Sequence, residues 1–225
     1  MIKKGLRYGL LLLVIPAILL TGALLFRDKQ YAWMSLGIAV AACIPFFLTF
    51  EKGKAGTRQM IAVAVMIAIA VVGRLIFAPL PGFKPVTAIV VIAALYLGGE
   101  AGFVTGALAA LVSNFFFGQG PWTPFQMFTW GLIGLAAGLL AAPLKKHLVL
   151  LLIYGAAAGV VFSLLMDVWT TLWYDGAFNL TRYLAAVVTA GPFTLEYGIS
   201  NVIFLLVLAK PVGGKLERIR TKYGL

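Results

Sequence analysis

The sequence contains very little of the chemistry that enzymes and metal sites use. Its 225 residues include one cysteine, one histidine and seven acidic side chains. A single cysteine, Cys43, excludes an intrachain disulfide, a CxxC pair and a cysteine-based metal cluster. No Walker A, GxGxxG, HExxH or GxSxG motif is present. We therefore predict no catalytic residue, no metal site and no cofactor, and interpret His147 as an ordinary surface histidine.

Charged residues of any kind are also scarce. They make up 11% of the chain, against 62% hydrophobic residues, and the mean hydropathy is +1.03. This leaves too little polar surface to coat a water-soluble domain. The composition predicts an integral membrane protein.

Eight apolar runs account for almost the whole chain, and none shows the alternating pattern of a membrane β-strand. A helix needs ~20 mainly apolar residues to cross the hydrocarbon layer. The predicted spans are residues 8–26, 31–50, 58–78, 85–99, 101–117, 125–142, 147–173 and 182–210. The fourth is short, but Pro85 opens it and the Gly98-Gly99 turn closes it. The fold class is therefore all-α, a polytopic membrane helical bundle.

The 18 lysines and arginines are distributed unevenly between the two sides that these spans define. Most lie on one side, namely Lys3, Lys4, Arg7, Lys52, Lys54, Arg58, Lys145, Lys146, Lys210, Lys215, Arg218, Arg220 and Lys222. The other side has Arg27, Lys29, Arg74, Lys84 and Arg182. The positive-inside rule then predicts a multi-pass protein of the cell membrane with both termini cytoplasmic. Because the charge lies at helix ends beside lipid headgroups, we expect no nucleic-acid partner.

Three ionisable side chains lie inside the predicted spans: Arg74, Asp167 and Glu196. Burying an ionisable group in a bilayer is costly, so each one needs a reason. One interpretation is a structural ion pair between Arg74 and Asp167 or Glu196. The other is a polar cavity open to the outside, because Arg74, Asn114, Gln126 and Asp167 all fall in the outer half of the predicted bundle.

The outer loops favour a cavity. Residues 79–85 form a proline-stiffened loop, and residues 115–127 combine aromatics and amides with two glycines and two prolines. Such segments can frame a ligand that has a flat apolar body and polar edges, although tryptophans here would also suit an interfacial aromatic belt. Helical spacing puts Thr170 and Tyr174 on the same face as Asp167, and Phe193 on the same face as Glu196, so these residues are added to the candidates. The candidate binding residues are Arg74, Phe83, Lys84, Asn114, Gln119, Trp122, Gln126, Trp130, Asp167, Thr170, Tyr174, Phe193 and Glu196.

The unit from about residue 57 to residue 210 resembles the substrate-binding S component of an energy-coupling factor (ECF) vitamin transporter. The resemblance is carried by the pair Ala64 and Ala68, the 79–85 loop, the turn at 98–102 and the stretch Gly-Gln-Gly-Pro-Trp-Thr-Pro-Phe-Gln at 118–126. It implies a six-helix core over residues 57–210. Two extra transmembrane helices at residues 1–56 would precede this core, and a basic cytoplasmic tail at 211–225 would follow it.

The resemblance also implies a function. An S component of an ABC importer captures a vitamin from outside and docks on a coupling transmembrane subunit that is bound to two cytoplasmic ATPase subunits. ATP hydrolysis by these partners then drives its reorientation and the release of the vitamin inside. By position, Ala64 and Ala68 would face the coupling subunit, and the 79–85 loop would cover the site.

The substrate and the mechanism have alternatives. The 118–126 stretch is similar to members assigned to cobalamin or related corrinoids, which is the preferred vitamin, while pantothenate, folate, thiamine and riboflavin stay open. The rival mechanism is an ion- or proton-coupled secondary transporter that uses Asp167 or Glu196 as its protonatable site. A membrane-embedded enzyme is disfavoured because the chain lacks clustered His, Asp and Glu residues.

Overall fold

The computed structural model describes residues 4–25, 31–50 and 54–223, and these residues are almost entirely helical. The helices are α1 (Lys4–Gly9), α2 (Ile15–Leu25), α3 (Tyr31–Phe50), α4 (Lys54–Ile76), α5 (Val86–Leu97), α6 (Gly99–Phe117), α7 (Trp122–Leu139), α8 (Ala141–Lys146), α9 (Leu148–Asp175) and α10 (Leu180–Tyr223). A π-helical segment, Leu10–Val14, joins α1 to α2. The predicted residues Lys3, Arg27, Lys29 and Lys52 lie outside the described part.

The predicted all-α membrane bundle is confirmed. Four helices are long and apolar enough to cross a membrane, over Gly56–Ile76, Gly99–Phe117, Leu148–Asp175 and Leu180–Tyr223. All eight predicted spans correspond to helical segments, because long apolar runs have no other way to satisfy their backbone groups in lipid. The chain is a multi-pass membrane protein.

The short helix α5 is the centre of the bundle. Eleven of its 12 residues are buried, so its apolar sequence packs against protein on all sides. Pro85 precedes its first residue, and Gly98 ends it with φ of 100°, a backbone conformation that residues with a Cβ rarely adopt. The predicted start and stop signals of this helix are therefore the ones that the structure uses.

Glycines bring α6 and α7 into backbone contact. A Cβ atom on Gly134 would collide with the carbonyl of Gly102, and one on Gly106 would collide with the backbone of Trp130. In the same way, Gly159 on α9 lies against the backbone of α10. These glycines make helix–helix contacts within the chain and are therefore not available to a partner protein.

The N-terminal helices pack on the outside of α6 and α7. Leu11, Ile15 and Ile38 are completely buried in this contact region. At one end, Arg7 Nη1 lies 3.2 Å from Glu100 Oε2, and both side chains are mostly buried. The two extra helices are thus joined to the bundle by an apolar interface and an ion pair.

Two features of the C-terminal half differ from the sequence prediction. The last helix does not end with its membrane span at residue 210 but continues through Pro211 to Tyr223. A short helix, α8, also lies between α7 and α9. In both places the predicted span stops where basic residues begin. Charged residues set the limit of a membrane span, but they do not end a helix.

Candidate functional site

A cavity of about 290 Å³ lies at the end of the bundle that carries the 77–85 loop. It is enclosed by α4, this loop, α5, the end of α6, α7, α9 and α10. The lining residues are Arg74, Ala78, Pro81, Gly82, Lys84, Val86, Thr87, Phe117, Gln126, Trp130, Gly159, Phe162, Tyr197 and Asn201. The volume falls near the lower end of the roughly 300–1,000 Å³ typical of small-molecule sites.

Arg74 is the only cation buried in this wall among the described residues, with 8% of its surface exposed. Its Nη1 donates hydrogen bonds to Ser113 Oγ at 2.5 Å and to Asn114 Oδ1 at 2.8 Å. In the described part of the chain no carboxylate pairs with it, so the structural ion pair with Asp167 or Glu196 is not formed. A buried guanidinium held by neutral acceptors keeps its charge available to a ligand.

Aromatic rings surround the Arg74 guanidinium. Its central carbon lies 4.6 Å from the ring centre of Phe117 and 5.1 Å from that of Trp130. Trp130 also stacks on Phe162 with ring centres 5.0 Å apart and planes at 24°. Trp130 Nε1 donates to Thr87 Oγ1 at 3.2 Å, which fixes the orientation of the indole. The cavity therefore has a stacked aromatic pair beside a cation.

Asn114 lies behind the cavity wall and positions its polar side chains. Its Nδ2 donates to Thr123 Oγ1 and to Gln126 Oε1, each at 2.8 Å, while its Oδ1 accepts from Arg74. Gln119 continues the network, because its Oε1 accepts from Thr123 at 3.0 Å. With its oxygen engaged, Gln126 keeps its amide donors for a ligand. Asn114 and Gln119 thus support the site and do not line it.

The 79–85 loop is braced internally and is attached to α10 at its end. Lys84 Nζ donates to the carbonyls of Leu80 and Pro81 at 2.7 and 2.5 Å. Ser200 Oγ on α10 accepts from Lys84 N at 2.9 Å and donates to Lys84 O at 3.1 Å. Partial burial lowers the pKa of the Lys84 ammonium, the charge of Arg74 lowers it further, and Glu196 opposes both. The loop closes one side of the cavity.

Two predicted residues near this loop lie outside the lining. Phe83 packs into an aromatic cluster with Phe77 and Phe204, at 6.0 and 4.9 Å between ring centres. The Glu196 carboxylate lies against Gly82, where a side chain would meet it. Both residues therefore fix the loop against α10.

The predicted face of α9 lies farther along the helix than the cavity. Asp167 is buried, and its Oδ2 has no hydrogen-bond partner among the described residues. Thr170 Oγ1 donates a hydrogen bond to the carbonyl of Met166 within α9. Tyr174 is 68% exposed. Helical spacing grouped these residues correctly, but the face they share does not reach the cavity lining.

Trp122 and Phe193 also lie away from the lining. Trp122 packs edge-on against Trp169 at 6.0 Å, and Phe193 is 49% exposed on α10. Of the thirteen predicted binding residues, the cavity brings together Arg74, Lys84, Gln126 and Trp130. The others, Phe83, Asn114, Gln119, Trp122, Asp167, Thr170, Tyr174, Phe193 and Glu196, support it or lie elsewhere.

Several lining residues had no individual signal in the sequence. In the sequence they look like ordinary residues of apolar helices, and only the packing of the helices turns them toward the cavity. They are Thr87, Phe117, Phe162 and Tyr197. Asn201 carried a signal, since an amide inside a membrane span needs a partner. Its Nδ2 donates to the carbonyl of Gly155 at 3.0 Å while the side chain reaches the cavity.

Fold and site together define a multi-pass helical membrane protein with a partly polar, ligand-sized cavity near one end. A family model described as ECF-type riboflavin transporter, S component, matches residues 54–218. The chain belongs to this family. No curated protein and no solved structure matches it. The match leaves α1 to α3 outside its range.

Family membership gives the function at a coarse level. The chain is a vitamin-capture subunit of an ECF transporter and is not an enzyme. S components of this kind bind a vitamin and work with an ECF transmembrane subunit and ATPases. The predicted resemblance to an S component is confirmed.

Proposed function

We propose that the chain binds riboflavin or a close flavin relative in the Arg74 cavity and passes it inward as part of an ECF transporter. The observation that carries this proposal is the buried, carboxylate-free Arg74 beside the Trp130–Phe162 stack. The description of the matching family, an ECF-type riboflavin transporter S component, supports the same vitamin.

The chemistry of a flavin suits these side chains. Its ring system is flat and apolar on both faces, so it can pack against the Trp130 and Phe162 rings. Its ring carbonyls are acceptors for the guanidinium of Arg74, which donates a charge-assisted hydrogen bond. The hydroxyl-bearing side chain of riboflavin would use the amides of Gln126 and Asn201 and the hydroxyl of Tyr197.

The size of the cavity argues against a corrinoid. Cobalamin is several times larger than a flavin, and a cavity of about 290 Å³ is closer in size to the smaller vitamin. The aromatic and amide-rich 118–126 stretch, on which the cobalamin preference was based, suits a flavin equally well. Cobalamin thus stays an unconfirmed prediction, and riboflavin replaces it as the preferred substrate.

The surface of α4 supports the proposed docking on a coupling subunit. Ala64 and Ala68 are both exposed, unlike the glycine pairs of α6 and α7. Around them Ile61, Val65 and Ile69 are 60%, 50% and 41% exposed, so this face of α4 is accessible in the described part of the chain. A shallow apolar surface built on small residues permits close approach of another helix. We propose that two ATPases bound to that partner power the reorientation.

The charge distribution supports an orientation with both termini in the cytoplasm. The exposed basic residues Lys145, Lys146, Lys215 and Arg218 lie at the end opposite the cavity and its 77–85 loop. By the positive-inside rule the cavity then opens to the exterior. In this arrangement residues 57–210 form the transporting core, and the helices before it brace α6 and α7.

Binding and uptake measured separately test this proposal. The purified chain alone should bind labelled riboflavin. Excess unlabelled riboflavin should displace the label, whereas cobalamin, thiamine and pantothenate should not. In proteoliposomes, uptake should require the coupling subunit, both ATPases and ATP. Riboflavin uptake by the chain alone in a pH gradient would instead support the secondary transporter, with Asp167 as its protonatable group.

A further inference from the structure

The last part of α10 crosses the end of the bundle and does not extend away from it. Gln59 Nε2 donates to the carbonyl of Leu97 at 2.6 Å, which puts the start of α4 level with the end of α5. Gly213 lies against the ring of Tyr96, one residue before Leu97. The guanidinium of Arg58, one residue before Gln59, lies 4.5 Å from the ring centre of Tyr223.

Both ends of the segment from Gly213 to Tyr223 therefore contact the same end of the bundle. Ten residues of helix separate them, a length of ~15 Å. This segment therefore packs on the end of the bundle, where Leu216 is buried. The ion pair between Lys145 Nζ and Glu217 Oε2, at 4.0 Å, holds its middle to α8.

Two adjacent faces of this segment have different chemistry. Val212, Leu216 and Ile219 are at least partly buried and share the face turned to the bundle. Lys215, Arg218 and Lys222, the basic row, are all exposed and are spaced i, i+3, i+7, which puts them on one helical face. Glu217 lies outside this row and is engaged with Lys145, so the row is not neutralised from within its own segment.

We propose that the basic row binds anionic phospholipid headgroups at the inner membrane surface. An amphipathic helix that lies in the interface with lysine and arginine on its polar face is the usual form of such a site. Each basic residue near an anionic surface adds about 1 kcal/mol, which is roughly fivefold in affinity per residue. The inference rests on the proposed orientation, in which this end faces the cytoplasm, and does not depend on the vitamin.

The test uses the full chain purified in detergent, with phosphatidylglycerol and phosphatidylcholine that carry a fluorophore on the acyl chain. Wild type should prefer phosphatidylglycerol, and salt should reduce that preference. The triple variant Lys215→Gln, Arg218→Gln, Lys222→Gln should bind phosphatidylglycerol roughly ten- to a hundredfold more weakly. A charge-retaining triple variant, Lys215→Arg, Arg218→Lys, Lys222→Arg, should bind like wild type.

Two controls separate the result from misfolding and from general charge. Lys146→Gln removes an exposed cation from α8 and should change the affinity less than the triple glutamine variant. Riboflavin titration and thermal unfolding should match wild type in every variant. Equal phosphatidylglycerol binding by wild type and the glutamine variant would overturn the proposal. It would also be overturned if that variant kept lipid binding and lost only capture by the coupling subunit, because the row would then recognise an acidic protein surface.

Discussion

Arg74 is the central residue of the proposed binding site. Inside a membrane bundle a buried cation without a carboxylate costs free energy. Among the described residues, the hydroxyl of Ser113, the amide of Asn114 and two aromatic rings offset this cost. A bound ligand with carbonyl oxygens would complete its hydrogen bonding. The free-energy cost of burying Arg74 is thus consistent with a site that is stabilised by its ligand.

Trp130 and Trp122 offer a matched test of which tryptophan contacts the vitamin. Trp130 lines the cavity, whereas Trp122 packs on Trp169 away from it. Trp130→Phe should weaken riboflavin binding roughly three- to tenfold through lost stacking and a lost hydrogen bond to Thr87. Trp122→Phe should leave the dissociation constant unchanged in the same fluorescence titration. A larger effect of Trp122→Phe would place the vitamin nearer the 118–126 stretch.

At the residue scale, the sequence identified the unusual polar residues but could not show which of them line the cavity. Arg74 and Gln126 were identifiable because polar groups inside apolar spans need a reason. Asn114 gave the same signal, yet it lies behind the wall, since hydrogen-bonded support and ligand contact look alike in a sequence. Phe162 and Tyr197 could not be found, because the rotation of α9 and α10 about their axes is set by packing.

Among the elements, the α6–α7 pair depends most strictly on small residues. Gly134→Ala would drive a methyl group into the backbone of Gly102, and such overpacking destabilises by about 1–3 kcal/mol. The melting temperature of the variant in detergent should fall clearly. Gly214→Ala, where a Cβ would meet nothing within 4 Å, should not lower it. Equal melting temperatures would mean that the two helices are farther apart than described.

The loop at 77–85 should control how fast the vitamin leaves. Ser200 bonds both the amide and the carbonyl of Lys84, so Ser200→Ala removes these two bonds between the loop and α10 while the contacts of Phe83 and Glu196 remain. Stopped-flow measurement should show riboflavin dissociating a few times faster. Ser163→Ala removes a buried serine that bonds Thr194 on the other side of α10 and serves as the control. Unchanged dissociation in Ser200→Ala would indicate that the loop does not gate the cavity.

Helix boundaries followed from the sequence where proline and glycine mark them. Pro85 and Gly98 bound α5 as predicted, although this helix is too short to be recognised by hydropathy alone. The extension of α10 to Tyr223 was missed because lysines and arginines end a membrane span. Those residues are good helix formers, and Gly213 and Leu216 supply the contacts that hold the extension on the bundle.

For the whole molecule, substitutions at the exposed alanines of α4 should separate capture from transport. Ala64→Trp and Ala68→Trp should leave riboflavin affinity intact, since both side chains point away from the cavity. Uptake in proteoliposomes with the coupling subunit, ATPases and ATP should fall to background. Ala185→Trp, at another exposed alanine, should retain uptake. Similar losses in all three variants would mean that α4 is not a specific docking face.

The architecture of the whole molecule was predictable from hydropathy and from the family resemblance. The identity of the vitamin was not, because S components share a fold while their cavity residues differ, and a fold does not determine a ligand. In the proposed site, cavity size favours a flavin over a corrinoid, and this size depends on how α7, α9 and α10 close around Trp130. That closeness is a property of side-chain packing that no local sequence pattern encodes.

The most direct test is an equilibrium titration of riboflavin into the purified full chain without partners, with wild type and Arg74→Gln compared. We predict saturable one-to-one binding by wild type and roughly ten- to a hundredfold weaker binding by Arg74→Gln, since a hydrogen bond from a charged donor is worth about 1.5–3 kcal/mol. Arg182→Gln, which removes an exposed arginine paired with Asp175, should bind like wild type. Absence of riboflavin binding by wild type, or equal binding by wild type and Arg74→Gln, would contradict the account.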